Sequence, residues 1–497
     1  MQKLLSHKWL LLSLFVAILA GRTLLTSRHF YTHDDIQVFR VNEFIECFKR
    51  GEIPCRWSAN LGKGYGYPWF NYYPPMIYII SGLIHLSGFS IIASLNLLMF
   101  LSFILAAWGM YLLVKELTDR GDLAFLGSTL FTLYPFHATN VFLRGVYAEN
   151  LAWSLTPFVL LAISRQIKSG RFSHSLPFLF AGIFLTHIIS SFLVVGFAVF
   201  WLILFSCKTW RQLLLQILLG IGISAFFFLP AIFEKNLVQS ESLIQGYYAY
   251  FNHFVSLKQL FLEYKWNYGA SYWADPPQEM GFMIGHVHTI FLGILLVIGL
   301  FSRRKIKQQK LIFGLLFATG FVLFLTHSKS AFIWQLLPSL AYIQFPWRFV
   351  GWTGIPLIIS ASLLMKYLPR LLSYSITLLV TIALLLYSYP FFFPRDYDVY
   401  SDADFLTGSL RADQQTKSLF DYLPKTVHQI PTIQSGIFYF PGWTSRTKIE
   451  VDAETGVIVD TSPDLAWRET PFRLAMDIVS VISLIGYVMY NKWYAKN

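Results

Sequence analysis

The sequence predicts an all-α polytopic membrane protein of about twelve transmembrane helices, with a small extracytoplasmic β-containing domain near the C-terminus. Three observations carry that expectation. Apolar runs long enough to cross a bilayer recur from one end to the other. The chain is 55% hydrophobic and 13% charged, with a mean hydropathy of +0.52, whereas a soluble domain carries about 25% charged residues. The basic residues stand in short clusters between the apolar runs, and the polar, acidic stretch is concentrated between Arg395 and Phe472. That clustering is the pattern of membrane topology, so the formal net charge of +12 does not point to nucleic acid. Three cysteines make no disulfide framework. Cys47 and Cys55 share the first loop, where one disulfide and two free thiols are both open.

Residues 1–25 carry Lys3 and Lys8 ahead of an apolar core and lack a small-x-small cleavage site, so they read as an uncleaved first span with a cytoplasmic N-terminus. Residues 26–90 form an extracytoplasmic loop. It opens with His33-Asp34-Asp35, continues through a mixed-charge amphipathic piece, Gln37–Arg50, and ends in a glycine- and tyrosine-rich run up to Pro75. Pro74–Leu86 is short for a bilayer. Counting it as a span would place Lys115/Arg120 and Arg165/Lys168/Arg171 outside, against the positive-inside rule, so it is expected to be a juxtamembrane helix on the outer side.

The core, 91–390, then reads as successive spans near 87–114, 122–136, 150–164, 176–189, 191–206, 212–230, 289–302, 311–326, 349–366 and 371–390. The hairpin at 175–207 rests on both of its ends being basic. Lys208/Arg211, the run RRKIKQQK at 303–310, Lys366/Arg370 and Lys492/Lys496 fall inside. Of the 27 acidic residues, only Glu116, Asp119 and Asp122 do so. The polar chemistry therefore faces outward, in the first loop and in outer loops 137–149, 231–288 and 327–348. Residues 391–473 form the small outer domain, in which Gly436–Phe440, Lys448–Asp452 and Val457–Asp460 read as short strands with Ala453–Gly456 as a turn. Its role is a lid or cap, or direct substrate binding. Residues 474–497 supply the last span and a cytoplasmic tail.

Candidate site residues follow from charge at the outer ends of apolar segments, where function concentrates in loops on rigid scaffolds. Asp34 and Asp35 are either an interfacial helix cap or a general base or metal ligand; side chains of adjacent helical residues diverge by about 100°, so one of them is expected to face a cavity. Arg144 and Glu149 either pair with each other or serve a phosphate, which the planar guanidinium suits. Arg348, between aromatics in QFPWRF, is a snorkelling interfacial arginine or a phosphate clamp. Lys63, in GKGYGY, is a cation in a glycine loop that lacks the P-loop pattern. His286 and His288, near Asp275 and Glu279, would face one way on a strand and are candidate metal ligands. His187 sits in the turn at 186–191 and reads as a satisfied polar residue.

A basic N-terminus, one span, an outer loop opening on acidic residues and a YPP segment before a long span resemble the C-type (GT-C) integral membrane glycosyltransferases. More narrowly, residues 33–75, RGVYAENLAW at 144–153, FPWRF at 345–349, FYFPGW at 438–443 and ETPFR at 469–473 resemble a bacterial and archaeal family of polytopic membrane proteins. That family is labelled as carrying a 6-pyruvoyl-tetrahydropterin synthase-related domain. The label implies no pterin chemistry, because the sequence contains no soluble zinc-enzyme fold.

The GT-C resemblance implies a polyprenyl-phosphate-linked sugar donor, used at the outer face of the plasma membrane, and an envelope glycan or protein acceptor. It puts the catalytic carboxylate on Asp34 or Asp35; many such enzymes carry Asp-Glu or a lone Asp there, and His-Asp-Asp leaves the choice open. It makes Arg144 and Arg348 the candidates for the lipid phosphate by position. A divalent metal is used by some of these enzymes and is not compelled here. The chemistry agrees, since glycosyl transfer needs a base for the acceptor proton and cations for the departing phosphate. A lipid-linked sugar flippase and a non-catalytic envelope scaffold are the rival classes; span interiors almost free of charge count against the first.

Overall fold

The computed structural model describes residues 7–263, 265–269, 280–301, 308–417, 421–432, 436–459 and 463–494. Helix α1 (Lys8–Gly21) leads into the first loop, where α2 (Gln37–Lys49) buries Val38, Val41 and Ile45 and leaves Lys49 paired with Glu46 at the surface. A Cys47–Cys55 disulfide ties the end of α2 to the segment after it. Helix α3 (Met76–Leu86) has 11 residues, too few to cross a bilayer, and packs against α2 and the next helix.

That helix, α4 (Ile91–Thr118), is 28 residues long. Ser90 caps it by accepting a hydrogen bond from the Ala93 amide. The Asp402 carboxylate, from the segment 391–473, accepts from the amides of Ile91 and Ile92 at 2.7 and 3.1 Å. A carboxylate there satisfies donors that no helical carbonyl can reach and complements the helix dipole.

The core continues with α5 (Gly121–Thr132), α6 (Tyr147–Ser169), α7 (Leu176–Phe184), α8 (Ile188–Phe205), α9 (Trp210–Ile223) and α10 (Ala225–Phe233). It is completed by α11 (His286–Phe301), α12 (Gln309–Phe324), α13 (Ala331–Leu336), α14 (Phe349–Met365) and α15 (Arg370–Tyr387). Helix α14 is the axis of this bundle: all 17 of its residues are buried, against α4, α5, α11 and α12. Small residues let neighbours approach; a Cβ at Gly351 would lie 2.4 Å from the Phe136 ring. At the periphery, α15 and the last helix, described below, turn Leu378, Leu379, Leu386, Ile478, Ile482 and Ile485 outward. An apolar belt of that extent is stable only against lipid.

The helices are more broken than the expected dozen spans. Among the described residues, five are long and apolar enough to cross a membrane: Ile91–Thr118, Ile188–Phe205, Pro346–Met365, Arg370–Phe391 and Pro471–Lys492. The number rises to seven if two bent pairs each count once: Cys207–Ile223 with Ala225–Phe233, bent by 88°, and Gln309–Phe324 with Ser328–Leu336, bent by 96°. Helices α1, α5 and α7 have 14, 12 and 9 residues, and at about 1.5 Å per residue each falls short of a hydrocarbon core about 30 Å thick.

The described part of residues 391–473 has less strand than expected. Its one sheet among the described residues pairs Trp443–Thr444 with Ala466–Trp467. The three expected strands meet only through isolated bridges, Phe438 with Val457 and Val451 with Ile458; Asp460 lies outside the described residues. The turn between the last two is present, closed by Asp452 accepting from the Thr455 amide at 2.7 Å. A short helix, α16 (Arg411–Thr416), precedes it, and α17 (Pro471–Tyr494) follows it.

This segment does not form a core of its own. Phe438 and Phe440 share one apolar cluster with Trp57, Tyr65 and Tyr72 of the first loop, and His29 meets the Asp398 carboxylate at 2.6 Å. Arg56, 1% exposed, reaches Glu469 at 3.0 Å and Asp477 at 2.8 Å. Arg473 donates to Glu234 at 2.8 Å and to the Pro441 carbonyl at 2.7 Å. The FYFPGW and ETPFR motifs thus fasten the last helix to the first loop.

Candidate active site

The site is assembled where the first loop crosses the turn before α6. Thr139–Arg144 winds as a π-helical turn, and Gly145 then adopts φ +69°, a conformation that glycine enters at little cost. A Cβ there would lie within van der Waals overlap of Thr32 Oγ1. This close approach lets the two segments bond backbone to backbone: the His33 amide donates to Leu143 O, and the Asp34 amide to Arg144 O, both at 2.9 Å. Gln37 adds a bond to Gly145 O at 3.2 Å. The acidic start of the loop and Arg144 are therefore fixed to each other.

Below them lies a buried charge cluster. Glu149, in the first turn of α6, accepts from Arg144 Nη2 at 3.0 Å and lies 3.4 Å from Arg348 Nε, both through Oε2. Its Oε1 has no hydrogen-bond partner among the described residues. Arg144 is also held by Asn140 at 2.5 Å and lies over the Trp347 ring, 4.5 Å from its centroid. Arg348 donates to Ile343 O at 2.7 Å. Two guanidinium groups share one carboxylate, so an anion entering here meets an excess of positive charge, desolvated and aimed.

The two adjacent aspartates diverge. Asp35 accepts from Lys417 at 2.7 and 2.8 Å, and Lys417 also meets Asp413 at 2.8 Å. Burial lowers the Lys417 ammonium, and the hydrogen bonds to Asp35 and Asp413 more than reverse this, so its pKa is raised. Asp34 instead lines the large cavity, of about 1130 Å³, together with His33, Arg144, Glu149, His187 and Arg348. The His33 imidazole is pulled below its ordinary range, first by burial in the wall and also by Arg144, against a bond to Tyr268 O. His187 is pushed down to about 4 by burial, with Arg348 and Arg144 adding to the effect and Glu149 opposing it. Its Nδ1 accepts from the Ser190 amide at 3.2 Å, as the cap of α8.

Asp34, Arg144, Glu149 and Arg348 thus share one cavity. Lys63 does not line it; at φ 57° it turns the glycine loop, whose Tyr65 stacks on Phe438 at 4.8 Å. His286 and His288 do not sit as the sequence reading expects. They begin α11 rather than a strand, which points i and i+2 apart, and buried His288 bonds to Leu130 O at 2.8 Å. Asp275 and Glu279 lie outside the described residues. Among the described residues no three His, Cys, Asp or Glu side chains come together as metal ligands.

Several wall residues were not singled out in the sequence. Arg40 lies over the Trp69 ring, 3.8 Å from its centroid, and a signal for it was present: Arg40, Glu43 and Cys47 recur at helical spacing and are buried on the side of α2 opposite Val38, Val41 and Ile45. His187 was read only as a satisfied turn residue, and nothing local marked Tyr422.

The comparisons agree with this architecture. A family model described as "6-pyruvoyl-tetrahydropterin synthase related domain; membrane protein" matches residues 70–393. An uncharacterized protein of Lactococcus lactis subsp. cremoris is 23% identical over 315 residues, which cover 60% of this chain and 49% of that protein. Among solved structures, the arabinofuranosyltransferase AftD from mycobacteria superposes with a TM-score of 0.50 at 15% identity, over 79% of this chain and 28% of that one. The chain spans about half the length of the curated relative and under a third of the solved one. At that identity the likeness is one of fold alone. The match over residues 70–393, together with the multi-helix membrane architecture, makes the chain a member of the 6-pyruvoyl-tetrahydropterin synthase-related family of membrane proteins.

Proposed function

We propose that the protein is an integral membrane glycosyltransferase. It moves a sugar from a polyprenyl-phosphate donor to an envelope glycan or protein acceptor at the outer face of the plasma membrane. The observation that carries this reading is the convergence, in one cavity, of two unlike groups. One is Asp34, a carboxylate without an ion-pair partner among the described residues; the other is an arginine pair held by Glu149. The fold shared with an arabinofuranosyltransferase is consistent with it.

In the proposed step, the acceptor oxygen attacks the anomeric carbon from the face opposite the phosphate. Its proton passes to Asp34 as the new C–O bond forms. The old bond to the phosphate oxygen breaks, and the electron pair leaves on the phosphate. A phosphate leaves as a weak base, so it needs charge stabilisation rather than a proton, and Arg144 and Arg348 supply it. Glu149 orients both guanidinium groups and keeps their mutual repulsion from opening the site. The configuration inverts because there is a single displacement.

The test is transfer or donor hydrolysis by purified protein in nanodiscs with a panel of polyprenyl-phosphate sugars. Turnover with at least one donor is expected. Absence of turnover with every donor, from protein that melts cooperatively, would sink the reading.

A further inference from the structure

The donor and the catalytic groups account for two sides of the cavity. The charged floor takes the phosphate, and the apolar side, formed by Ile188, Phe192 and Ile232 among others, suits hydrocarbon. The side left over faces the outer segments and is built from tyrosines: Tyr73 of the first loop, Tyr248 of the outer loop, and Tyr422 beside Asp421. We propose that this wall is the acceptor subsite and that it binds a neutral carbohydrate, a proposal that rests on the transferase reading.

Of the four described non-glycine residues at positive φ, two line this cavity. Tyr422 sits at φ +62°, which for a bulky aromatic residue is an outlier kept only where the surroundings impose it. Gln344, on the facing wall, sits at φ +65°. The Tyr422 ring lies flat on Tyr72, with centroids 5.3 Å apart and planes 10° apart, and meets Trp69 edge-on at 5.5 Å. Tyr72 is anchored from behind, its hydroxyl donating to Glu234 O at 2.8 Å. The outcome of the strained turn is a half-buried aromatic ring fixed in the cavity wall with a carboxylate next to it.

A pyranose or furanose ring offers what such a wall accepts: a C–H face for the aromatic ring and hydroxyls at its edge for Asp421 and the phenols. A peptide acceptor in extended form is matched by an exposed strand edge or by paired backbone groups. Among the described residues no strand lines this cavity.

The experiment uses the full chain in nanodiscs and a panel of acceptor probes. Saturation-transfer NMR is recorded with neutral gluco-, manno-, galacto- and rhamno-oligosaccharides and with a serine- and threonine-rich peptide. At least one saccharide is expected to bind the wild type. Tyr422→Gly, which accepts the left-handed backbone without steric cost, is expected to weaken that binding about tenfold or more, as loss of a central aromatic anchor does. Tyr422→Phe keeps the ring and retains binding, and Asp34→Asn also retains it. No saccharide bound by the wild type, preference for the peptide, or equal binding by Tyr422→Gly overturns the proposal. Donor turnover without saccharide binding removes the subsite and leaves the transferase standing. Saccharide binding that depends on Tyr422, in a protein with no donor turnover, does the reverse.

Discussion

Asp34→Asn and Asp35→Asn, two adjacent isosteric changes, are expected to have opposite effects. Asp34 faces the cavity, and as the base it would contribute the factor of about 10² to 10⁴ typical of a positioned proton acceptor, or about 3–5 kcal/mol of barrier. Its backbone bond to Arg144 O does not involve the carboxylate, so Asp34→Asn leaves the fold intact. Asp35 is held by Lys417, and the two side chains are 15% and 30% exposed. Lys417 retains Asp413 when Asp35 is neutralised, so Asp35→Asn costs about 1 kcal/mol of stability, the scale of a partly solvated pair. The assay is initial-rate transfer from a labelled polyprenyl-phosphate sugar in nanodiscs, alongside thermal melting. Asp34→Asn should lose at least about a hundredfold in kcat with melting unchanged. Asp35→Asn should keep kcat within a few-fold and melt slightly lower. Loss of turnover in Asp35→Asn alone, or equally in both variants, would refute the division of roles.

Other perturbations have equally definite outcomes. Glu149→Gln leaves two buried guanidinium groups facing each other without their shared anion; it should destabilise the protein by about 3–5 kcal/mol, read by chemical or thermal unfolding, and raise the KM for donor. His187, with its pKa lowered to about 4 from 6.5, is neutral in the fold. Its contribution is complete above pH about 6.5 and is lost as pH falls toward 4, up to about 3 kcal/mol. Wild-type melting should therefore drop across that window more than melting of His187→Gln. Arg56→Met strands the Glu469 and Asp477 carboxylates and should cost about 3 kcal/mol or more, with limited proteolysis showing earlier cleavage within 391–473.

Much of the site was legible because charge at the end of an apolar run is conspicuous. Asp34, Arg144, Glu149 and Arg348 each stand at such a boundary, and the cavity collects all four. The choice between Asp34 and Asp35 was not legible, because Lys417 lies 382 residues from Asp35 and no local pattern links them. Lys63 stands outside the lining of the cavity, in a glycine-rich loop that packs tightly: a Cβ at Gly66 would lie 2.5 Å from Trp57 Nε1. Among the described residues fewer long helices than expected are found, because hydropathy is blind to direction. Residues 212–230 carry no charged residue, but the helix turns by 88° near Ser224, and the run at 122–136 stops short because its helix ends at Thr132, ahead of Pro135.

The segment 391–473 is best understood as part of the candidate site rather than as an appended domain. Asp402 caps α4, Lys417 holds the second aspartate, and Tyr422 forms cavity wall while stacking on the first loop. Each contact joins this segment to groups more than 300 residues earlier in the chain, so its ordering and the ordering of the first loop are a single event. A wall built this way supplies rigid aromatic surface without a separate core, and that accounts for how little sheet the segment contains. In the proposed mechanism it would also couple catalysis to assembly: the Asp34 amide bonds to Arg144 O, while the neighbouring Asp35 is held by Lys417. A chain that has not closed its outer segment lacks that second anchor, and in the proposed mechanism it would hold donor without completing the acceptor side.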